Sequence, residues 1–336
     1  MPQVTESVRR IDGVELIAEE SRIPSGTEGI ELFVRSRRPA SLSQYSAEKT
    51  IVMVHGATFS SGSLYDVPLG GYSFLDYLAA GGYDVHAVDV RGFGRSSRPQ
   101  QLHEPANSDR PVVDTEMGLR DLATAVDFIR DVRRLSKLNV FAMSWGGSVA
   151  GAYTSRNNAK VHKLALLAPQ WVSTEPIPLD PGGPLSSYRL VPVLEVKTRW
   201  LQAAPEFGRA SLIPQGWFEQ WAQTTLAEDP WSADRTPGQI RATMGPVQDL
   251  RAYWAIGRKF YEPSAIAVPT LLVHGEWDFD VPIKLAFEYF QELTSAPYRR
   301  WVEIGEATHF ALLEKNRLQA FRAIRSFFDE TFTPEA

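Results

Sequence analysis

The stretch whose reading decides the fold is Phe141–Ala150, FAMSWGGSVA. An apolar run ends at Met143, one serine follows at Ser144, and small residues crowd it: Ala142 two positions before, Gly146 and Gly147 after. A core strand has no need of that serine. A helix is weakened by glycine, by about 1 kcal/mol each relative to alanine. A sharp strand-to-helix turn accommodates both features. Small neighbours let strand and helix pass closely, and the turn lifts the serine oxygen above the sheet. The helix N-terminus then offers backbone N–H groups and a favourable dipole for a developing negative charge. Ala142-Met143-Ser144-Trp145-Gly146 is the G-x-S-x-G elbow with its first glycine replaced by alanine. The pattern is short, and a serine that merely caps a close-packed helix produces it too. The rest of the chain decides.

Around this stretch, strand-like and helix-like segments alternate. GVELIAEESRI and GIELFVRSRRP look like two strands of an opening hairpin joined through PSGTE. KTIVMVHG is a continuous apolar run, as a strand buried on both faces would be. YSFLDYLAAGG reads as a helix and YDVHAVDVRG as the next strand. Leu119, Leu122, Ala123, Val126 and Ile129 recur at helical spacing. LNVFAM and VHKLALLAP are strands on either side of a helix that starts near Trp145. After a break, VPTLLVHGEWD, PIKLAFEYFQEL, RRWVEIG and ALLEKNRLQAFRAIRSFFDETF read as strand, helix, strand and helix. Such alternation predicts an α/β fold with a mostly parallel sheet of roughly eight strands, covered by helices on both faces. Residues 171–263 interrupt it with prolines, aromatics and short helical pieces. They are expected to form a helical cap inserted into one core domain made of residues 1–170 and 264–336.

The chain has 336 residues, a formal net charge of −5 and no cysteine. That length suits one large α/β domain with an insertion. The mild acidity argues against a general nucleic-acid surface, since the basic clusters at Arg35–Arg38 and Arg130–Arg134 are short and have acidic neighbours. Without cysteine there is no disulfide, no thiolate nucleophile and no cysteine zinc site. No H-x-H or H-E-x-x-H spacing occurs, so no catalytic metal is expected. GFGRSS lacks the dinucleotide-binding pattern, and no cofactor is expected. The first residues lack a signal-peptide core, and no apolar run approaches the ~18 residues that span a bilayer. A cytoplasmic protein without a membrane partner is the expectation, with the oligomeric state left open.

A serine hydroxyl needs a base, and the base an orienting acid. On an elbow of this kind the acid follows a later strand and the histidine the last one. LLVHGEWDFDVP puts Asp278 just past one strand, and VEIGEATHFALLE puts His309 just past another. The chain order Ser144, Asp278, His309 is the order required.

On these segments the chain resembles the α/β-hydrolases over nearly its whole length outside residues 171–263. VMVHGATFSS resembles the family's oxyanion loop, and VDVRGFGRSS its Asp-x-Arg-Gly-x-Gly-x-Ser turn. PTLLVHGEWDFDVP resembles the acid segment and HFALLE the histidine segment. The departures are Ala142 at the first elbow glycine and Thr308 where glycine often precedes the histidine. The resemblance implies an oxyanion hole built from the backbone N–H groups of Ala57 and Trp145. The Trp145 side chain is a candidate wall of the pocket. Asp278 fits the family's Gly-x-x-Asp spacing from Gly275, and Asp280 is expected on the loop or capping the helix near Pro282. The implied reaction is cleavage of a carboxylic ester, lactone or thioester through an acyl-enzyme. A small-molecule substrate with an apolar or aromatic part is expected. Amidase, C–C bond hydrolase and acyltransferase chemistry use the same triad. A serine elbow argues against the dehalogenase and epoxide hydrolase branches, which need a carboxylate nucleophile. A ligand-binding protein without activity is the alternative of another class.

The remaining candidates read as structural. His55 and His274 are expected to fix loop backbones, His86 to be a satisfied core residue, and His103 an exposed loop residue. Asp89, Arg91, Arg95 and Ser96 are expected to hold the turn beneath the site. The aromatics Trp171, Trp200, Trp217, Phe218, Trp221, Trp231, Tyr253, Trp254, Phe260 and Tyr261 either roof a pocket or pack a small core.

Overall fold

The computed structural model describes residues 4–108, 110–173 and 176–332. Its main sheet contains β1 (Val4–Ile11), β2 (Val14–Pro24), β3 (Glu31–Pro39), β4 (Thr50–Val54), β5 (Asp84–Asp89), β6 (Leu138–Met143) and β7 (Val161–Leu167). The chain then passes through β8 (Tyr188–Pro192) and β9 (Gln239–Thr243), and returns with β10 (Thr270–Gly275) and β11 (Arg299–Ile304). The nine strands of the main sheet run in the order β1-β2-β3-β5-β4-β6-β7-β10-β11. Pairing is antiparallel from β1 to β5 through β2 and β3, and parallel from β5 to β11.

The central parallel strands β4 and β6 are buried along their whole length because both faces are covered. In β4, Ile51 and Met53 join one apolar layer and Val52 and Val54 the other, following the two-residue period of a strand. The helices are α1 (Ser61–Tyr65), α2 (Phe74–Ala80), α3 (Thr115–Arg133), α4 (Trp145–Arg156), α5 (Val196–Ala203), α6 (Glu206–Leu212), α7 (Trp217–Glu228), α8 (Pro230–Arg235), α9 (Gly245–Ala252), α10 (Ile283–Glu292) and α11 (Arg317–Asp329). Phe74 and Leu78 of α2 and Phe321 and Ile324 of α11 meet the first layer. Leu122, Val126 and Ile129 of α3 and Val149 of α4 meet the second.

Three elements differ from the sequence reading. The sheet has nine strands, not roughly eight, because β1 adds an antiparallel edge. Asp12-Gly13 forms the two-residue turn from β1 to β2, both with positive φ, which is the Asp-Gly hairpin signal. The segment between β7 and β10, expected to be helical, also carries the antiparallel pair β8–β9. The last helix begins at Arg317, six residues later than expected. Residues 311–316 instead make a loop in which the buried Glu314 accepts the backbone N–H of Thr308 at 2.8 Å.

The junction between β6 and α4 is the tightest point of the fold. A Cβ on Gly146 would lie 2.2 Å from the backbone oxygen of His55 and 2.8 Å from that of Val54. A Cβ on Gly305 would meet nothing nearer than 3.8 Å. Gly146→Ala is therefore expected to cost on the order of 3 kcal/mol through backbone displacement, as overpacking does at its upper range. Gly305→Ala should stay within about 1 kcal/mol of the parent. Urea denaturation of the two variants compares them, and equal midpoints would refute the close-packing argument.

Candidate active site

Ser144 lies between the end of β6 and the start of α4 with φ 57° and ψ −126°, a backbone conformation that few residues other than glycine adopt. The fold overdetermines it. The Ser144 N–H donates to Leu167 O at 2.9 Å, and its carbonyl accepts from Gly147 N at 2.8 Å and from Gln170 N at 3.1 Å. Strain of roughly 1–3 kcal/mol is usual for such a conformation. The side chain is thereby kept out of the capping position, and no cap hydrogen bond forms. This excludes the capping-serine reading of the motif.

The acid and histidine loops are pressed together beyond β10 and β11. A Cβ on Gly275 would meet Thr308 O at 2.5 Å and Ala307 O at 2.6 Å, so only glycine lets the loops approach this closely. Asp278 is buried, and its Oδ2 accepts His309 Nδ1–H at 2.8 Å. Its Oδ1 accepts the Val281 N–H at 2.8 Å, which fixes the carboxylate plane. Burial opposes the charged carboxylate, yet His309, with smaller help from His274 and the Val281 N–H, holds Asp278 below its ordinary value. Burial likewise opposes the imidazolium, but the Asp278 carboxylate outweighs it and raises His309 to about 9. Nδ1 is engaged, so Nε2 is the nitrogen left to work.

Ser144 and His309 line one cavity of about 240 Å³, together with Gly56, Ala57 and Thr58. Among the described residues neither the Ala57 N–H nor the Trp145 N–H has a protein acceptor. His55 explains the setting of the first. Its Nε2 accepts the Val90 N–H at 3.0 Å, so Nδ1 carries the proton and donates to Gly56 O at 2.8 Å. The Gly56 carbonyl and the Ala57 N–H share one trans peptide and point in opposite directions, so gripping one aims the other. Burial lowers the His55 pKa and keeps the ring neutral.

Several expectations can now be placed. His274 Nε2 donates to Val281 O at 2.7 Å and steadies the acid loop. His86 is buried against Asp84 at 2.8 Å. Asp89 Oδ1 accepts from Ser61 N–H and hydroxyl at 2.8 and 2.6 Å, and its Oδ2 from Arg95 N–H at 3.0 Å. Arg91 pairs with buried Asp121 at 2.6 Å. These residues hold the turn as expected. Asp280 lies on the loop and pairs with Arg199; the helix α10 that follows has no side-chain cap. One expectation needs correction. The Trp145 side chain does not wall the cavity. It is buried, donates from Nε1 to Thr115 Oγ1 at 2.9 Å, and stacks on Phe93. Of the ten aromatics named from the sequence, for which a roof and a small core were both open, only Trp200 lines the cavity. Trp221, Phe218 and Trp200 instead form one aromatic cluster, and Trp171 packs on Tyr261 and Tyr289.

Sequence reasoning missed Glu314. It is buried beside the histidine loop, where it accepts from the Thr308 N–H, the Thr308 hydroxyl and Trp200 Nε1–H, the last at 2.6 Å. It thus ties α5 to the residue preceding His309. An acid inside the apolar run HFALLE was the available signal. Among the described residues no three His, Asp or Glu side chains converge to hold a metal ion, and no helix is long and apolar enough to cross a membrane.

Residues 49–316 match the alpha/beta hydrolase fold family, and the chain belongs to it. An abhydrolase domain-containing protein of Caenorhabditis elegans is 31% identical over half of this chain, but the match spans only a third of that relative's length. Epoxide hydrolase 3 of Xenopus tropicalis is 27% identical over 80% of this chain and 71% of its own. A serine hydrolase of the polyaromatic hydrocarbon-degrading bacterium Cycloclasticus zankles shares the fold, with a TM-score of 0.60 at 15% identity over 93% of this chain and 98% of its own.

Two outcomes follow from the titrating groups. If His309 must be neutral to accept a proton, kcat/KM should climb with pH beyond the ordinary histidine value of about 6.5 towards about 9. Asp278→Asn should cost on the order of 10⁴ in kcat with the fold intact by circular dichroism. An acid limb at or below 6.5 in the parent would contradict the coupling.

Glu314 is pushed up to about 7, by burial first and by Asp278, against the pull of its three donors. An acid whose pKa rises on folding keeps its proton longer in the folded state, so stability should fall as pH rises from about 4.5 through about 7. Glu314→Gln removes that slope. It also turns an amide donor toward a donor, costing about 1–3 kcal/mol. Urea midpoints at pH 5 and pH 8 test both, and an unchanged slope would sink the assignment.

Proposed function

We propose that this chain is a serine hydrolase that cleaves a carboxylic ester, or a lactone or thioester, through an acyl-enzyme. The observation that carries the reading is the placing of Ser144, free of any capping bond on its turn, in one cavity with a histidine whose far nitrogen is held by a buried carboxylate. In this reading Ser144 Oγ attacks the scissile carbonyl as His309 Nε2 takes its proton. Asp278 fixes the Nδ1–H tautomer and stabilises the imidazolium that forms. The tetrahedral oxyanion is received by the Ala57 and Trp145 N–H groups, each worth roughly 3–4 kcal/mol of barrier. His309 then protonates the leaving oxygen. Water, deprotonated by the same nitrogen, attacks the acyl-enzyme and releases Ser144.

Residues 171–263 act as a cap over a core of residues 1–170 and 264–336, supplying Ile177, Leu179, Leu190, Val191 and Val196 to the cavity. This lining favours an aliphatic part of the substrate. The name of the epoxide hydrolase relative does not carry over. Epoxide opening of that kind needs a carboxylate nucleophile, and position 144 is serine.

An activated serine reacts with fluorophosphonates. The parent should be labelled by a fluorophosphonate probe and should hydrolyse a simple activated ester, whereas Ser144→Ala should do neither. Labelling of both proteins to the same extent would remove Ser144 from the reaction.

A further inference from the structure

The cavity beside Ser144 is lined by a cation, Arg189, that forms no ion pair with any acid among the described residues. Arg189, on β8, lines the cavity, and its one protein hydrogen bond runs from Nη2 to the Thr58 hydroxyl at 2.7 Å. Other arginines held inside the protein have a carboxylate or carbonyl partner, although the Nε of Arg35, Arg98 and Arg241, like that of Arg189, is buried without a hydrogen bond. Arg35, Arg91 and Arg98 each meet a carboxylate, and Arg241 and Arg317 donate to backbone carbonyls. Arg189 has neither kind of partner. The two acids lining the cavity, Asp280 and Glu195, form no ion pair with it, although Asp280 attracts it at longer range. Arg199 has the same sign and is paired with Asp280, and Glu195 is exposed and holds no ion pair with Arg189. Burial, then Arg199, outweigh the attraction of Asp280 and bring the Arg189 pKa down to about 10, so the guanidinium still carries its charge at neutral pH. A guanidinium paired with no carboxylate in a largely apolar cavity is costly unless an incoming anion completes it.

The geometry points to an anion subsite at Arg189 that takes a carboxylate of the substrate, so that the compound cleaved is an ester bearing a free carboxylate and an aliphatic chain. This inference rests on the reading of Ser144 as nucleophile and adds the substrate class. The position of the subsite limits the spacing. Arg189 is anchored on Thr58, the residue after Ala57, whose N–H is the proposed oxyanion donor. The carboxylate therefore sits a few bonds from the scissile carbonyl, on its oxyanion side. A planar guanidinium with unused N–H groups suits a carboxylate, which it grips through two parallel hydrogen bonds.

The test compares 4-nitrophenyl hydrogen adipate with its neutral counterpart, 4-nitrophenyl methyl adipate. The parent should prefer the anionic ester in kcat/KM, and Arg189→Met should lower the anionic-to-neutral ratio on the order of tenfold to a hundredfold. Arg189→Lys should recover part of the ratio. A ratio that does not change in Arg189→Met overturns the subsite. A second measurement needs no turnover. Monomethyl adipate should raise the melting temperature of Ser144→Ala more than dimethyl adipate does, and the difference should vanish in Ser144→Ala/Arg189→Met. Equal shifts by the two compounds also overturn the proposal. Failure of fluorophosphonate labelling with the monomethyl adipate shift intact would instead remove the nucleophile and leave the subsite standing.

Discussion

The constraint on which the rest depends is the contact between the first turn of α4 and the end of β4. Gly146 stands where a single Cβ would overlap the His55 carbonyl, so the helix seats directly on the neighbouring strand. That seat forces the chain to reverse at Ser144 within one residue, and the positive φ is the result. It also brings the loop after β4 alongside the serine: a Cβ on Gly56 would come 3.2 Å from Ser144 Cβ. One close approach thus fixes the direction of the hydroxyl and the position of the loop that carries the Ala57 N–H. Strain at the turn is held by hydrogen bonds on both sides of the serine peptide, to Leu167 and from Gln170. A hydroxyl on such a junction is held in place by the backbone, without a capping bond to its own oxygen.

A second layer of buried polar groups holds the loops around that junction. His55 aims the Gly56 peptide, Asp89 gathers the N–H groups of Ser61 and Arg95, and His274 and Val281 set the Asp278 loop. Asp89 to Ser61 and His55 to Val90 join segments far apart in sequence, and the other ties hold single loops in shape. Glu314 extends the same scheme to α5, where Trp200 also stacks on Phe310 at 4.3 Å. The residue next to His309 and the helix over the cavity are therefore mechanically linked. Such ties are more demanding than apolar packing, because removing one partner leaves a buried polar group without a hydrogen bond.

The parts of this architecture legible in the sequence were those with a strong local signature. The buried parallel strands read as continuous apolar runs, and Ser144, Asp278 and His309 stood at the ends of three of them in the order the turn chemistry requires. β1 was missed because its residues are largely exposed and its sequence, VTESVRRI, has no apolar face to display. Only the Asp-Gly turn announced it. The late start of α11 was missed for the opposite reason. ALLEK has helical composition, and tertiary bonds to Glu314 override it. Arg189 and Glu314 were invisible as site residues because a lone charge in a strand or in a leucine run has no spacing rule. Their meaning comes from what the fold places around them.

The aromatics between residues 171 and 261 show that composition leaves the lining of a cavity open. Along the chain they fit a roof or a small core equally, and of the ten named only Trp200 lines the cavity beside Ser144. The reason is geometric. A segment of two strands and short helices has little interior, and large flat rings fill it most efficiently, as Trp200 does edge to face with Phe218 and with Trp221. With the rings used as core, the residues left to face the cavity are the aliphatic side chains of the loop before β8, of β8 itself and of α5. The same strand that presents Leu190 and Val191 presents Arg189 between Tyr188 and Leu190. Size, shape and charge of the cavity are then set by one short strand on a rigid aromatic base, and changes in β8 can alter what the cavity accepts without disturbing the junction that holds Ser144.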